Sequence, residues 1–289
     1  MKLLSNVFAD GAAIPRRFTC DGGMNDSALD CETSFQRIAK SCVDLIQHSH
    51  KSALAADPEA IHAMRIELTR LRAAVLFFSP MVQDAAWAAI RKELRWLNSA
   101  LGKARDHDVT AIYTRRKRYR SWARRARRTV MRAQDKAHRS LTKNLDSARY
   151  GRLIAALRHW ITSGSWLQDN PSLRSERIDV YSKASLHDWR TGIWQKGPHL
   201  RTLRRKQLHR LRIRCKRYRY ILAALRTLHV NVSQRDLALG ETAKQVHRAL
   251  GDLRDLKRLR KSAKRRPPQY RRSKQELLRL AEEAFRTAP

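Results

Sequence analysis

Acidic residues are scarce in this chain: of its 289 residues, 26 are Asp or Glu, whereas 62 are Lys or Arg. The formal net charge is therefore +36 at pH 7, and a molecule with so few carboxylates repels itself. Hydrophobic residues make up 42% of the chain and are spread along most of it, which predicts a folded protein rather than a basic tail. The imbalance predicts a polyanionic partner.

Long apolar runs and paired cysteines are also missing. No stretch of about 18 apolar residues is present that would cross a bilayer, and the N-terminal "MKLLSNVFADG" lacks the apolar core of a secretory signal. We therefore expect a cytoplasmic protein without membrane insertion. Cys20, Cys31, Cys42 and Cys215 show no CxxC spacing and no histidines at zinc-finger distances, which predicts reduced thiols and neither a metal site nor a cofactor.

Alternating, β-branched strand patterns are absent as well, and helical periodicity takes their place. Apolar residues recur at spacings of three and four in Ile61 to Val75 and in Leu208 to Leu222. Turn chemistry predicts breaks at Asp57-Pro58, Ser79-Pro80, Gly102, Ser163-Gly164, Asn170-Pro171, Gly197-Pro198, Gly251 and Arg266-Pro267-Pro268. We expect roughly eight to ten helices in antiparallel bundles. Five tryptophans are interpreted as packing residues: Trp122, Trp160, Trp166, Trp189 and Trp194.

An internal repeat carries the most information. "IHAMRIELTRLR" (61–72) and "LHRLRIRCKRYR" (208–219) share five identities in twelve positions. "ALGKARDHD" (100–108) and "ALGDLRDLK" (249–257) then match at nearly the same offset. The repeat predicts two related helical halves, 24–147 and 148–289.

The matched residues of the repeat form a stripe on each helix. Counted from the histidine of each segment, positions one, four, eight and eleven lie within a stripe about 80° wide, because each residue turns a helix by about 100°. The two stripes are His62, Arg65, Thr69 and Arg72, and His209, Arg212, Lys216 and Arg219. A solvated face is the alternative, but recurrence in both halves favours a cationic groove or channel between two bundles. Arg210 and Arg214 have no such match and are expected at the surface.

Two Arg-Asp pairs follow the Leu-Gly of the second motif. Glycine commonly ends a helix, so Gly102 and Gly251 are expected at helix ends. Arg105-Asp106 and Arg254-Asp255 then receive a supporting role, in which each Asp caps the next helix or holds a stripe Arg.

Two further basic regions have no match in the sequence of the opposite half. Residues 115–128 hold nine cations in fourteen positions, and residues 254–272 form a second dense region. Each either extends a path for a polyanion or forms a solvated face.

These motifs resemble the CHAD domain, an α-helical domain named for its histidines. "HAMRIELTRLR" with "LGKARDHDV", and "LHRLRIRCKRYRYIL" with "LGDLRDL", are similar to its two halves and extend the resemblance over about residues 27–285. The resemblance implies an all-α fold of two pseudo-symmetric antiparallel four-helix bundles. It also implies non-catalytic binding of inorganic polyphosphate, with some relatives at polyphosphate or polyhydroxyalkanoate granules.

The resemblance also implies which residues contact phosphate. They are His62, Arg65, Arg70, Arg72, His209, Arg212, Lys216, Arg217 and Arg219. Thr69 departs from the motif, which usually has Arg or Lys there, so the first half is expected to hold an anion less firmly.

Two other functions stay open at this point. A nucleic-acid-binding helical protein is the first, because charge alone does not distinguish phosphate polymers, although RNP, KH and zinc-finger signatures are missing. A metal-dependent phosphohydrolase is the second, with His62 and His107-Asp108 as an H…HD pattern. Leu256 and Lys257 occupy the matching places in the second half and argue against it.

The first 23 residues resemble a different family. "MKLLSNVFADGAAIPRRFTCDGG" is similar to the opening of bacterial phosphatidylethanolamine-binding-protein-like chains, whose later pocket residues are missing here. We expect residues 1–23 to be a poorly ordered, dispensable extension, with Met24 as an alternative start.

Overall fold

The computed structural model describes residues 29–195, 200, 202–262 and 269–288, without the side chains of residues 118, 120–122, 125, 126 and 262. Within this part of the chain there are twelve α-helices and no β-strand, which confirms the all-α prediction. The N-terminal extension, Cys20, Gly197-Pro198, Arg266-Pro267-Pro268 and the Trp122 side chain lie outside the described residues.

The helices follow one another with short connections. They are α1 Cys31–His48, α2 His50–Leu54, α3 Pro58–Phe77, α4 Ser79–Val82, α5 Ala85–Arg115, α6 Arg120–Leu145, α7 Ala148–Ser163, α8 Pro171–Arg174, α9 Ile178–Trp194, α10 Arg205–Thr227, α11 Gln234–Ser262 and α12 Tyr270–Arg286. Nine of those described have sixteen residues or more, in agreement with the predicted number. The other three are single turns.

Helix boundaries fall at most of the predicted breaks. The Asp57 side chain accepts hydrogen bonds from the backbone N–H groups of Glu59 and Ala60 at 3.0 and 3.3 Å, and Pro58 is the first residue of α3. The Asp57 side chain satisfies two orphan donors of the first helical turn, and Pro58 has no N–H that would need a partner there. Gly164 follows the last residue of α7, and Asn170 adopts a left-handed conformation (φ 49°) before Pro171.

The predicted breaks at Gly102 and Gly251 were wrong. Both glycines lie inside long helices, Gly102 in α5 and Gly251 in α11. A mid-helix glycine costs about 0.5–1 kcal/mol relative to alanine, which packing along a 31-residue helix and a 29-residue helix outweighs. Each glycine instead lies under a stripe arginine: a Cβ would be 3.9 Å from Arg65 Nη1 at Gly102 and 3.6 Å from Arg212 Nε at Gly251.

The two copies of the repeat pack in the same order. Helix α3 packs on α5 and α5 on α6, just as α10 packs on α11 and α11 on α12. The halves are joined by α3 against α10 and by α5 against α11, and one buried apolar cluster runs through both. Helix α7 packs against α1 and α5. The four-helix grouping and the boundary at 147/148 stay predictions.

Aromatic residues fill the core, as interpreted from the sequence. The Phe35 ring makes edge contacts with Trp160 and Trp166 at centroid distances of 5.7 and 5.3 Å, and such pairs contribute about 0.5–1.5 kcal/mol each beyond area burial. Trp194 lies 5.7 Å from the ring of Phe285. The described cysteines, at positions 31, 42 and 215, are free and buried. Among the described helices, none combines the length and the hydrophobicity needed to cross a bilayer.

Candidate functional site

The cationic stripes of α3 and α10 meet where the two halves pack. Lys216 Nζ donates a hydrogen bond to Thr69 Oγ1 at 3.3 Å, and these residues occupy the same place in the repeat. Two lysines here would bring two ammonium groups together. Thr69 instead offers an acceptor, which explains in physical terms why this position departs from the motif.

Asp106 of α5 binds arginines from both halves. Its carboxylate accepts from Arg258 Nη2 at 2.7 Å and from Arg254 Nη2 at 3.3 Å, both on α11. Arg65 Nη1 is 3.8 Å from the same carboxylate and donates to the Gly102 carbonyl at 3.2 Å. The capping interpretation was wrong because Asp106 lies within α5; the contacts are those of a residue that holds arginines in place.

Asp255, the repeat counterpart of Asp106, also lies within its helix and caps nothing. It accepts from Arg258 Nη1 at 3.2 Å. Burial raises the pKa of its carboxyl, partly offset by Arg258 and Arg254. Arg105 has a long ion pair, 3.9 Å to Glu59 Oε1. Carboxylates therefore bind arginines on both joining helices, α5 and α11.

Arg70 and Arg217, which match in the repeat, differ in their charge partners. Arg70 Nη1 donates to Glu67 Oε1 at 2.9 Å, and the Arg70 guanidinium lies 5.9 Å from the Tyr220 ring centroid. The position of Glu67 is Arg214 in the second half, so Arg217 has no such carboxylate. Arg70 is thus neutralised by a half-buried ion pair, whereas Arg217 adds to the positive potential.

Arg72 and Arg217 belong to a patch of like charge. Burial first, and then Arg91 and Arg95, lowers the pKa of Arg72. Burial also lowers the pKa of Arg217, with Arg72 and Arg214 as the next causes. Both groups stay protonated at any physiological pH, so these shifts report burial first and charge repulsion second, and an anion would relieve the repulsion.

The two stripe histidines lie in different environments. His62 is half-buried in α3, whereas His209 is exposed in α10. Desolvation, followed by Arg212, Arg254 and Arg205, lowers the pKa of His209. His209 is therefore neutral near pH 7 and acts there as a hydrogen-bonding group rather than as a cation.

An open cationic cleft of about 920 Å³ lies between α10 and α11. Nine of its thirteen lining residues are Lys or Arg and none is acidic. The cations are Arg205, Lys206, Arg210, Arg212, Arg254, Lys257, Arg258, Arg260 and Lys261, joined by His209, Leu208, Leu250 and Leu253. Lys257 shows the density of charge, since burial together with Lys274, Arg205 and Arg260 lowers its pKa.

Only some of the predicted residues line this cleft. His209, Arg212 and Arg254 do, while Lys216 and Arg72 lie along the contact of α3 with α10. Sequence reasoning missed seven lining cations: Arg205, Lys206, Arg210, Lys257, Arg258, Arg260 and Lys261. Four of them, Lys257, Arg258, Arg260 and Lys261, belong to the dense region 254–272. The helical spacing of Lys257, Arg258 and Lys261 with Arg254 is the signal that could have placed them on one face. Arg210 is exposed as expected but lines the cleft.

The two dense basic regions have equivalent places in the helix order. Residues 115–128 span the junction of α5 and α6, and residues 254–272 span the junction of α11 and α12. Neither region has a sequence match in the opposite half, but helix order places both at corresponding junctions. At the first junction Arg116 lies 4.1 Å from the Tyr113 ring centroid, and Arg115 and Lys117 are exposed.

Asp108, one part of the H…HD pattern, makes a structural pair. Its buried carboxylate is bound by His138 Nε2 at 2.6 Å and by Gln134 Nε2 at 2.9 Å, both on α6. In the part of the chain that the structure describes, no group of three His, Cys, Asp or Glu is arranged to hold a metal ion. The Asp108 geometry therefore gives no support to the phosphohydrolase hypothesis.

The fold and the site define an all-α protein with a concentrated cationic surface beside the contact between its halves. The CHAD domain model matches residues 37–284, and the chain belongs to that family. No enzyme family is indicated by this match.

Solved structures agree with the fold. The chain is similar to the CHAD domain from the plant Ricinus communis, with a TM-score of 0.74 and 21% identity over 94% of this chain and 96% of that one. It is also similar to PptA from Streptomyces chartreusis, with a TM-score of 0.62 and 14% identity over 90% and 100% of the two chains. At these identities the likeness shows the fold alone. No curated protein matches the sequence.

Proposed function

We propose that this protein binds inorganic polyphosphate without catalysing a reaction on it. The observation that carries the proposal is the cleft between α10 and α11, where nine Lys and Arg side chains line about 920 Å³ without a carboxylate. Polyphosphate offers closely spaced negative charges and no bases, so a binder needs rows of cations rather than aromatic platforms. The CHAD family membership supports the same ligand.

The stripe residues extend the proposed path from the cleft toward the first half. His209 and Arg212 belong to both the cleft and the stripe, and Lys216 contacts α3 at Thr69. The proposed phosphate contacts on this path are His62, Arg65, Arg72, Arg217 and Arg219 in addition to these three residues. Arg70 is proposed to act through Tyr220 rather than on phosphate, since Glu67 already neutralises it.

Ion pairs on the joining helices, α5 and α11, hold cations of the proposed path in position. Asp106 binds Arg254 and Arg258, two cleft residues, from the opposite half. Arg105 and Asp255 complete the supporting set. As part of the same proposal, the protein works in the cytoplasm, at polyphosphate or polyhydroxyalkanoate granules.

Titration of long-chain polyphosphate across a salt series tests this function. The variant Arg205→Ala, Lys257→Ala, Lys261→Ala removes three cleft cations, and Arg132→Ala, Lys136→Ala, Arg139→Ala removes three exposed cations of α6. We expect the cleft variant to lose on the order of 100-fold in affinity, because each charge-assisted contact contributes about 1 kcal/mol or more. Its log–log salt slope should fall by about 2, at about 0.7 per lost contact.

The α6 variant is the matched control for loss of net charge. Equal affinities and equal salt slopes for the two variants would disprove the cleft as the binding site. Competition with single-stranded RNA of equal charge at fixed salt separates the alternative function: we expect polyphosphate to displace RNA, and the reverse outcome would favour nucleic acid. Phosphate release from polyphosphate by the purified protein would contradict the non-catalytic part.

A further inference from the structure

The outer face of α6 is a basic surface separate from the cleft. Helix α6 packs on α5, α2 and α7, and none of its described residues lines the cleft. All the Lys and Arg side chains of α6 that the structure describes are exposed, and together they form the α6 ridge. They are Arg124, Arg127, Arg128, Arg132, Lys136, Arg139 and Lys143. Residues 124–143 contain a single acidic residue, Asp135, so little negative charge offsets the ridge.

The α6 ridge has the shape of a convex rod. Counted at about 100° per residue, its cations cover about 180° of the helix circumference. At about 1.5 Å per residue, they extend over about 28 Å of the helix axis. Ala123, Val130 and Leu141 are buried on the other side of the helix. A partner that contacts the whole ridge must therefore be concave and must carry negative charge along that length.

The ridge cations lack the carboxylate partners that an exposed arginine of α12 has. Arg279 donates to Glu276 at 2.8 Å and to Glu283 at 3.0 Å. Within the part of the chain that the structure describes, the one ion pair of α6 joins His138 to Asp108 at 2.6 Å, on the buried side of the helix. Like charges four residues apart recur along the ridge and disfavour the helix, so an anion on this face would stabilise it.

We propose that the α6 ridge binds B-form duplex DNA through its phosphates, in addition to the polyphosphate binding proposed for the cleft. An α-helix with its side chains is about 10–12 Å across, and the major groove of B-DNA is about 12 Å wide, so the rod fits the groove. Cations spread over half of the circumference then face phosphates on both edges of the groove. About 28 Å of duplex carries about sixteen phosphates, which is enough for every cation of the ridge.

Other polyanions fit the α6 ridge less well. A flat anionic membrane would contact a convex rod along one line only. Single-stranded nucleic acid gains affinity from aromatic stacking, and residues 123–143 contain no Phe, Tyr or Trp. The major groove of A-form RNA is too deep and narrow for side chains to read. The shape and the composition of the ridge therefore favour duplex DNA.

Fluorescence anisotropy of a labelled DNA duplex of mixed sequence, titrated with the full chain across a salt series, tests the site. The α6 variant Arg132→Ala, Lys136→Ala, Arg139→Ala removes three ridge cations. We expect it to lose about 10-fold or more in duplex affinity, and its log–log salt slope should fall by about 3, at about 0.9 per lost contact. An α6 variant that binds the duplex as tightly as the wild type, with the same salt slope, would refute the site.

A variant of α5 controls for net charge. Arg91→Ala, Lys92→Ala, Arg95→Ala removes the same charge from exposed positions, and both helices should persist because alanine is the best helix former. We expect this α5 variant to lose less than about 3-fold in duplex affinity. Equal losses in the α5 and α6 variants would show that the DNA responds to net charge alone. Tighter ridge-dependent binding to duplex RNA or to phosphatidylserine vesicles would refute DNA as the partner.

The cleft variant Arg205→Ala, Lys257→Ala, Lys261→Ala distinguishes this proposal from polyphosphate binding. It should lose polyphosphate affinity and keep duplex affinity within about 3-fold of the wild type, and the α6 variant should show the converse. A cleft variant that loses as much duplex affinity as the α6 variant would place the DNA in the cleft and refute a site on α6. A protein that binds duplex DNA through the α6 ridge but has no affinity for polyphosphate would refute the proposed function and leave the ridge standing.

Discussion

The contact of α3 with α5 and the cleft between α10 and α11 occupy corresponding places in the two halves, but they differ in charge. Nine positions of the second-half cleft are Lys or Arg. The repeat alignment, when extended along the helices, gives the first-half residue at each of these positions. They are Pro58, Glu59, Ala63, Arg65, Arg105, Asp108, Val109, Ala111 and Ile112. Two of these are cations and two are acids, so the first-half set has no net charge.

Two of the differences reverse the charge and have a structural use. Glu59 replaces Lys206 and lies 3.9 Å from Arg105. Asp108 replaces Lys257 and is buried against His138. The first half thus uses both positions for its own ion pairs, one exposed at Glu59 and one buried at Asp108, whereas the second half leaves them open in a cleft. The repeated motif keeps the contact between the halves, and the flanking positions decide which half offers charge to a ligand.

The largest expected effect is on stability and contrasts Asp108 with its counterpart Lys257. His138→Leu leaves the buried Asp108 carboxylate with the Gln134 amide as its remaining side-chain donor among the described residues. Removing one member of a buried pair costs about 3–5 kcal/mol, so we expect a loss of about 3 kcal/mol in the free energy of unfolding. Denaturant titration measures it.

His138→Leu and Lys257→Ala should differ in their affinity for polyphosphate. Lys257→Ala is expected to weaken polyphosphate binding about 5-fold, since one charge-assisted contact contributes about 1 kcal/mol, and to leave stability within about 0.5 kcal/mol. His138→Leu should bind polyphosphate as the wild type does while it is folded. A weaker affinity for His138→Leu than for Lys257→Ala would mean that the first half also holds the ligand.

The sequence was sufficient for the helices and for the stripes. Periodicity and the Asp57-Pro58 and Ser163-Gly164 signals placed helix ends, because capping and helix-stop chemistry is local. The repeat placed Arg65 and Arg212 on matching faces for the same reason: helical geometry follows from spacing alone. The stripes as phosphate contacts stay a prediction.

The remaining features depend on contacts between distant helices. Gly102 was predicted as a helix end because a local signal does not reveal a guanidinium packed above it. Asp106 reaches arginines 148 and 152 residues away, and no pattern in either segment specifies that pairing. The cleft itself required knowledge of which helix faces stay open after packing. Its cations were visible in the sequence as a dense region, but not as the lining of one site.

Double arginine variants at equivalent positions of the two halves test directly which half contributes more to polyphosphate affinity. Arg212→Ala with Arg254→Ala removes two cleft cations, and Arg65→Ala with Arg105→Ala removes their first-half counterparts. We expect the second-half pair to lose about 30-fold in polyphosphate affinity and the first-half pair less than 5-fold, because only Arg212 and Arg254 line the cleft. Calorimetric titration at one salt concentration measures both affinities. Equal losses would show that the two halves contribute equally to polyphosphate binding.

Exchanging the charges at Glu59 and Lys206 tests the same difference between the two halves, and the expected change in affinity is smaller. Glu59→Lys gives α3 the charge that α10 has at Lys206, and it also frees Arg105 from its ion pair. Both residues are exposed, so neither change should affect folding. We expect Glu59→Lys to raise polyphosphate affinity about 3-fold and Lys206→Glu to lower it about 10-fold, since charge at an exposed site contributes about 1 kcal/mol or less. A fall in affinity for Glu59→Lys would contradict an anion path that reaches the first half.

The smallest expected effect is a pH dependence that belongs to the second half. Burial raises the pKa of Asp255, which lies beside Arg258, Arg254 and Arg212. As the pH falls below 7, protonation removes this negative charge earlier than from an ordinary Asp, with a pKa of about 4, and the cleft becomes more positive. Polyphosphate affinity should therefore rise by about 2- to 3-fold as the pH is lowered from 7.

Asp255→Asn fixes the neutral form and should remove most of that rise. Because folding raises the pKa of Asp255, its protonation also favours the folded state as the pH falls through the same window, and Asp255→Asn should lose that increment of stability too. The first-half counterpart Asp106→Asn is the matched control. If Asp106→Asn flattens the pH slope of affinity while Asp255→Asn preserves it, the pH dependence belongs to α5 rather than to α11.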